Sequence, residues 1–292
     1  MPSRKRSSDT LRGCCLRDGT LNGHIDGISS TAGSLTGWGA GVPSGREPAM
    51  KVLVISDVHA NLTALEAVLK ASGGVDATWC LGDLVGYGPD PNEVIGLIRA
   101  IPNLTCLLGN HDAAVIGGIP LEAFNGDARR SLEVHELEVN SESLDYLRSL
   151  PQTPQRRGDV TLTHGSPRDP LWEYVINKLS AEINFDHFVT PWCFVGHSHF
   201  PSTFSLDRVT GNVTMDAIQP DEVLNLGPKQ ILNPGSVGQP RDRDPRAAFA
   251  IFDSEAHTWQ SRRVEYDVSE VQRRIREAGL PERHAMRLAE GW

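Results

Sequence analysis

The sequence predicts an α/β fold that begins with a parallel sheet and ends in a second, largely antiparallel sheet. Between residues 50 and 100, short apolar runs alternate with segments of helical periodicity. That alternation is typical of parallel βαβ units. From residue 200 onward short runs follow one another closely, which is typical of antiparallel strands. These later runs cover 201–206, 212–216, 223–226, 230–233, 247–253 and 258–264. We therefore expect a single domain over residues 50–292.

Five apolar runs in the first part of this domain are predicted to be buried strands, and each is followed by Asp, Asn or His. The runs cover 51–56, 78–81, 104–108, 160–163 and 192–195. The polar residues after them are Asp57 and His59, Asp83, Asn110 to Asp112, His164, and His197 and His199. Open α/β sheets bind ligands beyond the carboxyl ends of their strands. The five runs therefore predict one shared site at one edge of a sheet.

Helices are predicted from apolar periodicity and from capping residues. Asn61 is in the position of an N-cap for a helix over 62–69, which Gly73 and Gly74 would end. The other predicted helices cover 92–99, 120–136, 141–149, 170–179, 181–188, 267–276 and 281–289. Two of them fall between the third and fourth strands and interrupt the alternation. We therefore expect a helical cap insertion over about 113–150 that shapes the substrate pocket.

Composition and charge argue against several classes of function. The formal net charge is −9, so no broad basic face for duplex nucleic acid is evident. No apolar run reaches the about 18 residues of a membrane span, so no membrane partner is expected. Cys80, Cys106 and Cys193 lie inside apolar runs, which is typical of core thiols. The absence of a Cys-x-x-Cys pair fits a reducing cytoplasm, where we place the protein.

Residues 1–49 differ from the rest of the chain. They are rich in Gly, Ser, Thr and Arg and show no hydrophobic periodicity. Arg4-Lys5-Arg6 resembles the start of a signal peptide, but no apolar segment follows it. Met50 stands directly before the first predicted strand. We predict that residues 1–49 are a disordered or non-native N-terminal extension, and a basic arm that binds nucleic acid is the alternative.

The polar residues at the strand ends have the chemistry of metal ligands. Asp57 and His59, like His197 and His199, are two positions apart, so on an extended chain both side chains would point the same way. With Asp83, Asn110 and His164 they make seven oxygen and nitrogen donors and no thiolate. Such a set suits Mn, Fe, Co, Zn or Ni rather than a structural zinc site. Seven donors exceed the needs of one ion, whereas two ions would share one carboxylate.

The five motifs, taken in order, resemble those of the calcineurin-like metallophosphoesterase superfamily. That superfamily carries Asp-x-His, Gly-Asp, Gly-Asn-His-(Asp/Glu), a lone His and Gly-His-x-His, and all five occur here between residues 57 and 199. The segment from Asn233 to Arg241 further resembles the compact prokaryotic phosphodiesterase-like and diadenosine-tetraphosphatase-like branch. The resemblance implies a four-layer α/β/β/α sandwich of two mixed β-sheets flanked by helices.

The resemblance also implies residue roles. One ion would be held by Asp57, His59, Asp83 and His199, and the other by Asp83, Asn110, His164 and His197, so that Asp83 bridges. A hydroxide that bridges the ions would attack phosphorus. His111 would protonate the leaving oxygen or stabilise charge in the transition state, and Asp112 would hold its ring, although a turn or cap role is the alternative for Asp112. The cofactors would be two divalent or trivalent transition-metal ions, with Mn preferred over Fe, Zn, Ni or Co.

Other candidate residues have less specific signals. Arg241, Arg243 and Arg246 follow the Asn233–Gly238 loop, and we select Arg241 to bind substrate phosphate, with a solvated charged loop as the alternative. Tyr87 and Asn92 could touch substrate, but turn and cap roles are favoured. Trp172 could stack on a base, but core packing is favoured. The remaining histidines are assigned to surface or core positions: His24, His135, His187, His257 and His284.

The predicted function is that of a dinuclear metal phosphodiesterase acting on small or nucleotide-like phosphorylated substrates. A protein Ser/Thr phosphatase or a phosphomonoesterase is the first alternative, since such enzymes share these motifs. A catalytically inactive scaffold of the same fold is the second. Inactive members lose ligands or the catalytic histidine, whereas all seven ligands and His111 are present here. The sequence leaves the substrate, the metal and the oligomeric state open.

Overall fold

The structure, a computed structural model, describes residues 49–292, and the predicted extension lies, apart from Ala49, outside the described residues. Twelve strands are present in this part of the chain: β1 (Lys51–Ile55), β2 (Ala77–Cys80), β3 (Leu104–Cys106), β4 (Gln155–Arg157), β5 (Val160–Leu162), β6 (Trp192–Phe194), β7 (Ser202–Leu206), β8 (Val213–Ala217), β9 (Val223–Asn225), β10 (Gln230–Asn233), β11 (Ala247–Asp253) and β12 (Thr258–Val264). They form two mixed six-stranded sheets with the orders β3-β2-β1-β11-β12-β9 and β4-β5-β6-β10-β7-β8.

Eight α-helices accompany the strands in the described residues: α1 (Leu62–Ser72), α2 (Pro91–Arg99), α3 (Asn110–Val115), α4 (Gly126–Glu138), α5 (Ser141–Ser149), α6 (Lys178–Asn184), α7 (Val268–Glu277) and α8 (Glu282–Glu290). The predicted cap of α1 is confirmed, because the Asn61 side chain accepts a hydrogen bond from the backbone N–H of Ala64 at 3.0 Å. Gly73 ends this helix with a φ of 75°. Among residues 49–292, no helix combines the length and apolar character needed to cross a bilayer.

The two sheets pack face to face and carry helices on their outer faces, which confirms the four-layer α/β/β/α sandwich. Successive residues of β1 show how the layers are built. Val52 and Val54 pack into the core between the sheets, whereas Leu53 and Ile55 pack into the core shared with α1 and α2. Both faces of β1 are therefore buried, as a central strand requires. On the outer face of the second sheet, Ala181 of α6 packs in the same core as Phe204 of β7.

The strands after residue 200 are divided between the two sheets, and the expectation that they form a sheet of their own was wrong. β7, β8 and β10 join the second sheet, whereas β9, β11 and β12 extend the first. β11 pairs antiparallel with β1, with Lys51 opposite Asp253. The run 247–253 is almost wholly buried, so it takes an interior position between β1 and β12. Spacing along the chain does not report which sheet a strand joins.

One predicted helix begins later than expected and another is absent, because side chains of Asn and Asp redirect the backbone. The helix expected from residue 120 begins at Gly126, where Asn125 caps it and residues 121–123 form a separate 3₁₀ turn. The helix expected over 170–179 is absent. The Asp169 carboxylate accepts hydrogen bonds from the backbone of Leu171 and Trp172, which closes a turn there. The next predicted helix, over 181–188, corresponds to α6 (Lys178–Asn184), which begins earlier than expected, directly after its N-cap Asn177.

Candidate metal centre

The predicted metal ligands are all buried and lie between the two sheets rather than at the edge of one. Asp57 and His59 follow β1, Asp83 follows β2 and Asn110 begins α3 directly after β3. His164 follows β5, and His197 and His199 follow β6, so these three come from the second sheet. Both sheets contain parallel strands, and their carboxyl ends meet at one place. The expected single edge was therefore wrong in detail, while the expected convergence is observed.

The backbone at this place is left-handed rather than extended. Positive φ angles occur at Asp57 (54°), His59 (48°), Asp83 (57°), His197 (63°) and His199 (59°). Residues other than glycine seldom adopt this conformation, and each costs of order 1 kcal/mol or more. The expectation that Asp57 and His59 point the same way from an extended chain was wrong in its premise. Their side chains converge because the left-handed residues turn the chain sharply.

The ligand atoms form three overlapping groups, and Asp83 belongs to two of them. Three groups have all their ligand atoms within 4.8 Å of one another: Asp57 with His59 and His199, Asp83 with His164 and His197, and His59 with Asp83 and His111. The amide oxygen of Asn110 lies 3.0 Å from Nε2 of His164, which adds it to the second group. The structure thus brings together all seven predicted ligands in two adjacent groups.

Three of the histidines are oriented by backbone carbonyls. In His59, Nδ1 lies 2.8 Å from the backbone carbonyl of Val85. In His164, Nδ1 lies 3.0 Å from the carbonyl of Leu81. In His199, Nδ1 lies 2.6 Å from the carbonyl of Gln239. A carbonyl can only accept, so each Nδ1 carries a proton, and whenever the ring is neutral its Nε2 presents a lone pair. Metal-binding histidines are held in this way in many proteins. The donor set therefore fits transition-metal ions.

Asp83 has one carboxylate oxygen fixed and one oxygen without a partner. Oδ1 accepts a hydrogen bond from the backbone N–H of His111 at 2.9 Å. Oδ2 is buried, has no hydrogen bond, and lies 3.6 Å from Nε2 of His59 and 3.4 Å from Nε2 of His164. A buried carboxylate oxygen without a partner is costly, and a cation would compensate for it. Its position between the two groups fits a bridging ligand.

Asp83 is held in its ionised form, and its negative charge attracts a positive charge. Burial alone would raise the pKa of Asp83, but His164 and His111 hold it well below its usual value. Burial alone would lower the pKa of His164, but the carboxylate of Asp83 raises it to about 9. In the absence of metal, a proton is therefore held beside Asp83, where a metal ion would otherwise supply the positive charge.

His111 faces the two groups from one side. Its ring lies 4.9 Å from that of His59 and 4.6 Å from that of Tyr87, and its Nδ1 has no hydrogen bond. Burial lowers its pKa well below the usual value, so near neutral pH the ring is an uncharged imidazole with one N–H. Gly86 allows this close packing, since a Cβ there would lie 2.2 Å from Nδ1 of His111.

Asp112 does not hold the His111 ring, and the role implied by the resemblance is corrected here. One of its oxygens accepts hydrogen bonds from the backbone N–H groups of Leu84 and Val85, and the other from that of Gly109. Burial and the charge of Asp83 raise its pKa to about 7, while the backbone bonds oppose that rise. Asp112 therefore ties the loop after Asp83 to the start of α3.

Arg241 is the only one of the three candidate arginines that faces the ligands. Its guanidinium lies 3.3 Å from the hydroxyl of Tyr87 and 3.1 Å from the side-chain oxygen of Gln239, and its Nε has no partner. Its charge opposes the burial-driven rise in the pKa of Tyr87 and of Tyr174. By contrast, Arg243 is exposed and Arg246 pairs with Asp244.

The loop after β10 braces the ligand loops. The Asn233 amide donates to the carbonyl of Gly196 at 2.7 Å, and the Ser236 hydroxyl donates to the carbonyl of Asp57 at 2.8 Å. The backbone N–H of Gly238 also donates to the Asp57 carbonyl. A Cβ at Gly238 would lie 1.8 Å from the carbonyl oxygen of Val58, so glycine permits this approach. This segment carries part of the predicted resemblance, and it acts here by hydrogen-bonding to the backbone carbonyls of the ligand loops.

Aromatic residues that sequence reasoning missed or placed in the core extend from the site toward solvent. The Phe124 ring lies 5.0 Å from that of His111 and 5.1 Å from that of Trp172. The Tyr174 ring stacks on His197 at 4.0 Å and 13°. Phe124 and Tyr174 belong to irregular segments without a motif, so no local signal identifies them.

Asn92 does not lie at the site. Its side chain hydrogen-bonds to the backbone of Glu138 and of Asn140 and so holds α4 and α5 in place.

The chain is similar to a known protein family, to two relatives and to a solved structure. Residues 50–257 match the calcineurin-like phosphoesterase superfamily domain. An uncharacterized protein of Methanocaldococcus jannaschii is 36% identical over 238 residues, which cover 79% of this chain and 94% of that relative. The crystal structure of a metallophosphoesterase from Sphaerobacter thermophilus has a TM-score of 0.76 at 47% identity, covering 84% of this chain and 100% of that one. A symmetrical bis(5'-nucleosyl)-tetraphosphatase of Erwinia tasmaniensis is 34% identical over 109 residues, which span 35% of this chain and only 39% of that relative's length.

Proposed function

The chain belongs to the calcineurin-like phosphoesterase superfamily, and on this basis we propose that it is a phosphodiesterase that works with two metal ions on small or nucleotide-like substrates. Membership makes it a hydrolase of phosphate esters. The proposal adds the number of ions, the residues that hold them and the preference for diesters. It also adds that residues 113–150 cap the site, since Phe124 from this segment contacts the His111 ring.

The observation that carries the proposal is the position of Asp83. Its Oδ2 is buried without a hydrogen bond and lies within 3.6 Å of one histidine from each ligand group. We propose that Asp57, His59, Asp83 and His199 hold one ion, and that Asp83, Asn110, His164 and His197 hold the other. When bound, the ions would supply positive charge to the phosphoryl oxygens and hydroxide near neutral pH.

The chain's own residues would position the phosphate and the leaving group. Arg241 is half-buried and its Nε is buried without a partner, so the guanidinium can donate to a phosphoryl oxygen on the side of Tyr87. His111 lies across the ligand groups as a neutral imidazole, so it can donate a hydrogen bond to the leaving oxygen. To transfer a proton to that oxygen, the ring would first have to take up a second proton and become an imidazolium. Asp112 acts indirectly by fixing the loop after Asp83.

A nucleotide-like substrate is supported by the relative from Erwinia tasmaniensis, whose name describes hydrolysis of a dinucleoside polyphosphate. That match covers 109 residues, which are 39% of the relative, so the substrate class is part of the proposal. The aromatic rings beside His111 add a second, chemical reason. Planar side chains next to a phosphate site suit substrates that carry a planar group beyond the phosphate.

The test is a comparison of substrates with metal-reconstituted protein. Purified protein is loaded with Mn, Fe, Zn or Ni in separate samples, and kcat/KM is measured for phosphomonoesters, phosphodiesters, dinucleoside polyphosphates and a phosphoserine peptide. We expect the highest values for diesters or dinucleoside polyphosphates, with activity lost in Asp83→Asn. Higher values for the phosphopeptide would favour the protein phosphatase alternative. Absence of turnover with every metal would support the inactive scaffold.

A further inference from the structure

A short row of aromatic rings leads from the candidate metal centre to solvent. The centroid of Phe124 lies between those of His111, at 5.0 Å, and Trp172, at 5.1 Å. The same segment also reaches the other side of the site, since the ring of Tyr174, two residues after Trp172, stacks on His197 at 4.0 Å. The Phe124 ring therefore connects the ring of His111, the residue proposed to assist the leaving group, to the indole of Trp172.

Trp172 is exposed, although core packing was favoured from the sequence. It is 37% exposed and Tyr174 is 43% exposed. In the part of the chain that the structure describes, only one other aromatic side chain is this exposed, Trp292, and its ring is covered by Arg283 and Arg287. Tyr174 stacks on His197, so Trp172 carries the exposed aromatic face beside the site. An exposed aromatic face that adjoins a site is a candidate binding surface.

The segment that carries Trp172 is held in place before any ligand binds. The Asp169 carboxylate accepts from the backbone N–H groups of Leu171 and Trp172. Glu173 accepts from the Ser166 hydroxyl at 2.6 Å and from the Asn184 amide at 2.8 Å. A fixed aromatic side chain loses little conformational freedom on binding, so its contact area contributes efficiently to affinity.

We propose that Trp172, backed by Phe124, is a stacking platform for the nucleobase of the substrate. The platform offers a flat apolar face and, in the Trp172 side chain, only one polar atom. Recognition by such a face depends on stacking rather than on hydrogen bonds to base edges, so any nucleobase is accepted. This inference rests on the proposed function, because the phosphate of the same nucleotide must lie at the metal centre. It adds that the site prefers nucleoside phosphates over sugar phosphates.

The test compares two ligands that differ only in the base. Binding of AMP and of ribose 5-phosphate to the metal-reconstituted protein is measured by calorimetry, and phosphate release is followed in the same samples so that hydrolysis is not counted as binding. Stacking on an aromatic side chain corresponds to a factor of about 5–150 in affinity. We expect AMP to bind more tightly than ribose 5-phosphate by a factor in this range, and UMP to bind within about tenfold of AMP.

Variants identify the platform. Trp172→Ala should bring the affinity ratio close to one without changing the affinity for ribose 5-phosphate, whereas Trp172→Phe should retain most of the ratio. Leu179→Ala removes an exposed apolar side chain of α6 and should leave the ratio unchanged. Equal binding of both ligands by the wild type would overturn the platform and leave the proposed function intact. Failure of both ligands to bind would overturn the proposed function itself, and the platform with it.

Oligomeric state is measured on the same proteins by sedimentation. If Trp172→Ala dissociates an oligomer and leaves the affinity ratio unchanged, the exposed indole belongs to an interface between copies of the chain and the platform is wrong. If all variants have the wild-type sedimentation coefficient while only Trp172→Ala loses the ratio, the platform is supported.

Discussion

The Nε2 atoms of His59 and His199 lie 3.1 Å apart, although neither ring has a proton to place between them. Both rings donate their Nδ1 proton to backbone carbonyls, and burial lowers the pKa of His59 to about 4 and that of His199 well below its usual value. Two lone pairs therefore face each other. Two nitrogen ligands of one ion, at about 2.1 Å each, would lie roughly 3–3.5 Å apart. The spacing fits a shared cation.

Asp83→Asn should weaken both metal ions at once. The substitution keeps the shape of the side chain and the acceptor for the His111 N–H, but it places an amide nitrogen or a neutral oxygen where a bridging carboxylate is proposed. Metal content after dialysis should fall from two ions per chain to fewer than one, measured by elemental analysis. The matched comparison is His199→Ala, which belongs to one ligand group and should retain about one ion. An Asp83→Asn protein that keeps both ions would refute the bridge.

The ligand set could be predicted from the sequence because each ligand stands directly after a buried apolar run. His164, for example, is a single residue without a neighbouring ligand, yet its position after β5 and the order of the motifs select it among ten histidines. Chain order and strand ends are local properties. They remain valid whichever sheet the strand joins.

The rest depends on contacts that are distant in sequence. β11 joins the first sheet because it pairs with β1, which lies about 200 residues earlier in the chain. The Asp112 role depends on two N–H groups of the loop at 84–85, and only the folded backbone shows that they occupy its oxygens. Phe124 and Trp172 belong to segments about 50 residues apart in sequence, and the fold places their rings in contact beside His111. Hydrophobic periodicity carries no information on such crossings.

Asp112→Asn should destabilise the fold more than it alters metal binding. The carboxylate accepts three backbone N–H bonds, and an asparagine can satisfy only those that meet its oxygen. Leaving buried N–H groups opposite an amide nitrogen should cost about 2–4 kcal/mol. Urea unfolding at fixed metal concentration measures this loss. Asp145→Asn, at an exposed carboxylate on α5, is the control and should change stability little, as expected for a surface ion pair.

His135 should make stability depend on pH below neutrality. Its ring accepts from the N–H of Gly86 and donates to the carbonyl of Gly88, and burial lowers its pKa from 6.5 to about 4. Between about pH 4 and 6.5 the unfolded chain binds this proton and the folded chain does not. Stability should therefore be highest above pH 6.5 and should fall as the pH decreases, by up to about 3 kcal/mol from this residue.

His135→Gln isolates this contribution, since glutamine can make both hydrogen bonds without titrating. Unfolding free energies are measured at pH 5 and pH 8 for both proteins. The difference between the two pH values should be smaller in the variant. Equal differences in both proteins would show that His135 is not responsible, because other buried histidines such as His284 titrate in the same range.

Residues 1–49 should be dispensable for folding and activity. Met50 is already fixed to the fold, because its backbone N–H donates to the Ser254 hydroxyl and its carbonyl accepts from the Ser254 N–H. A chain that begins at Met50 should keep both its melting temperature and its kcat/KM. A clear loss of nucleic-acid binding on removing the segment, with these two quantities unchanged, would instead support the basic-arm alternative.

His111→Ala should retain both metal ions and lose much of its turnover. The ring faces both ligand groups, but its backbone N–H, rather than its imidazole, binds Asp83, and its Nδ1 has no partner. A group that donates a proton or a hydrogen bond to the leaving oxygen contributes about 10²–10⁴-fold. We expect kcat to fall by this factor on substrates with alkoxide leaving groups. The fall should be much smaller for nitrophenyl esters, whose leaving group needs no proton.

Metal content and kcat must be measured on the same His111→Ala preparation, because His111 also lies within ligand distance of His59 and Asp83. If an ion is lost together with the histidine, the residue is a ligand and the fall in kcat reports an incomplete metal centre. If both ions remain and alkoxide and nitrophenolate substrates slow down equally, His111 does not assist the leaving group. His111→Gln sharpens the distinction, since it keeps a hydrogen-bond donor but cannot transfer a proton. Recovery of turnover in this variant would assign the role to hydrogen bonding, and continued loss would assign it to proton transfer.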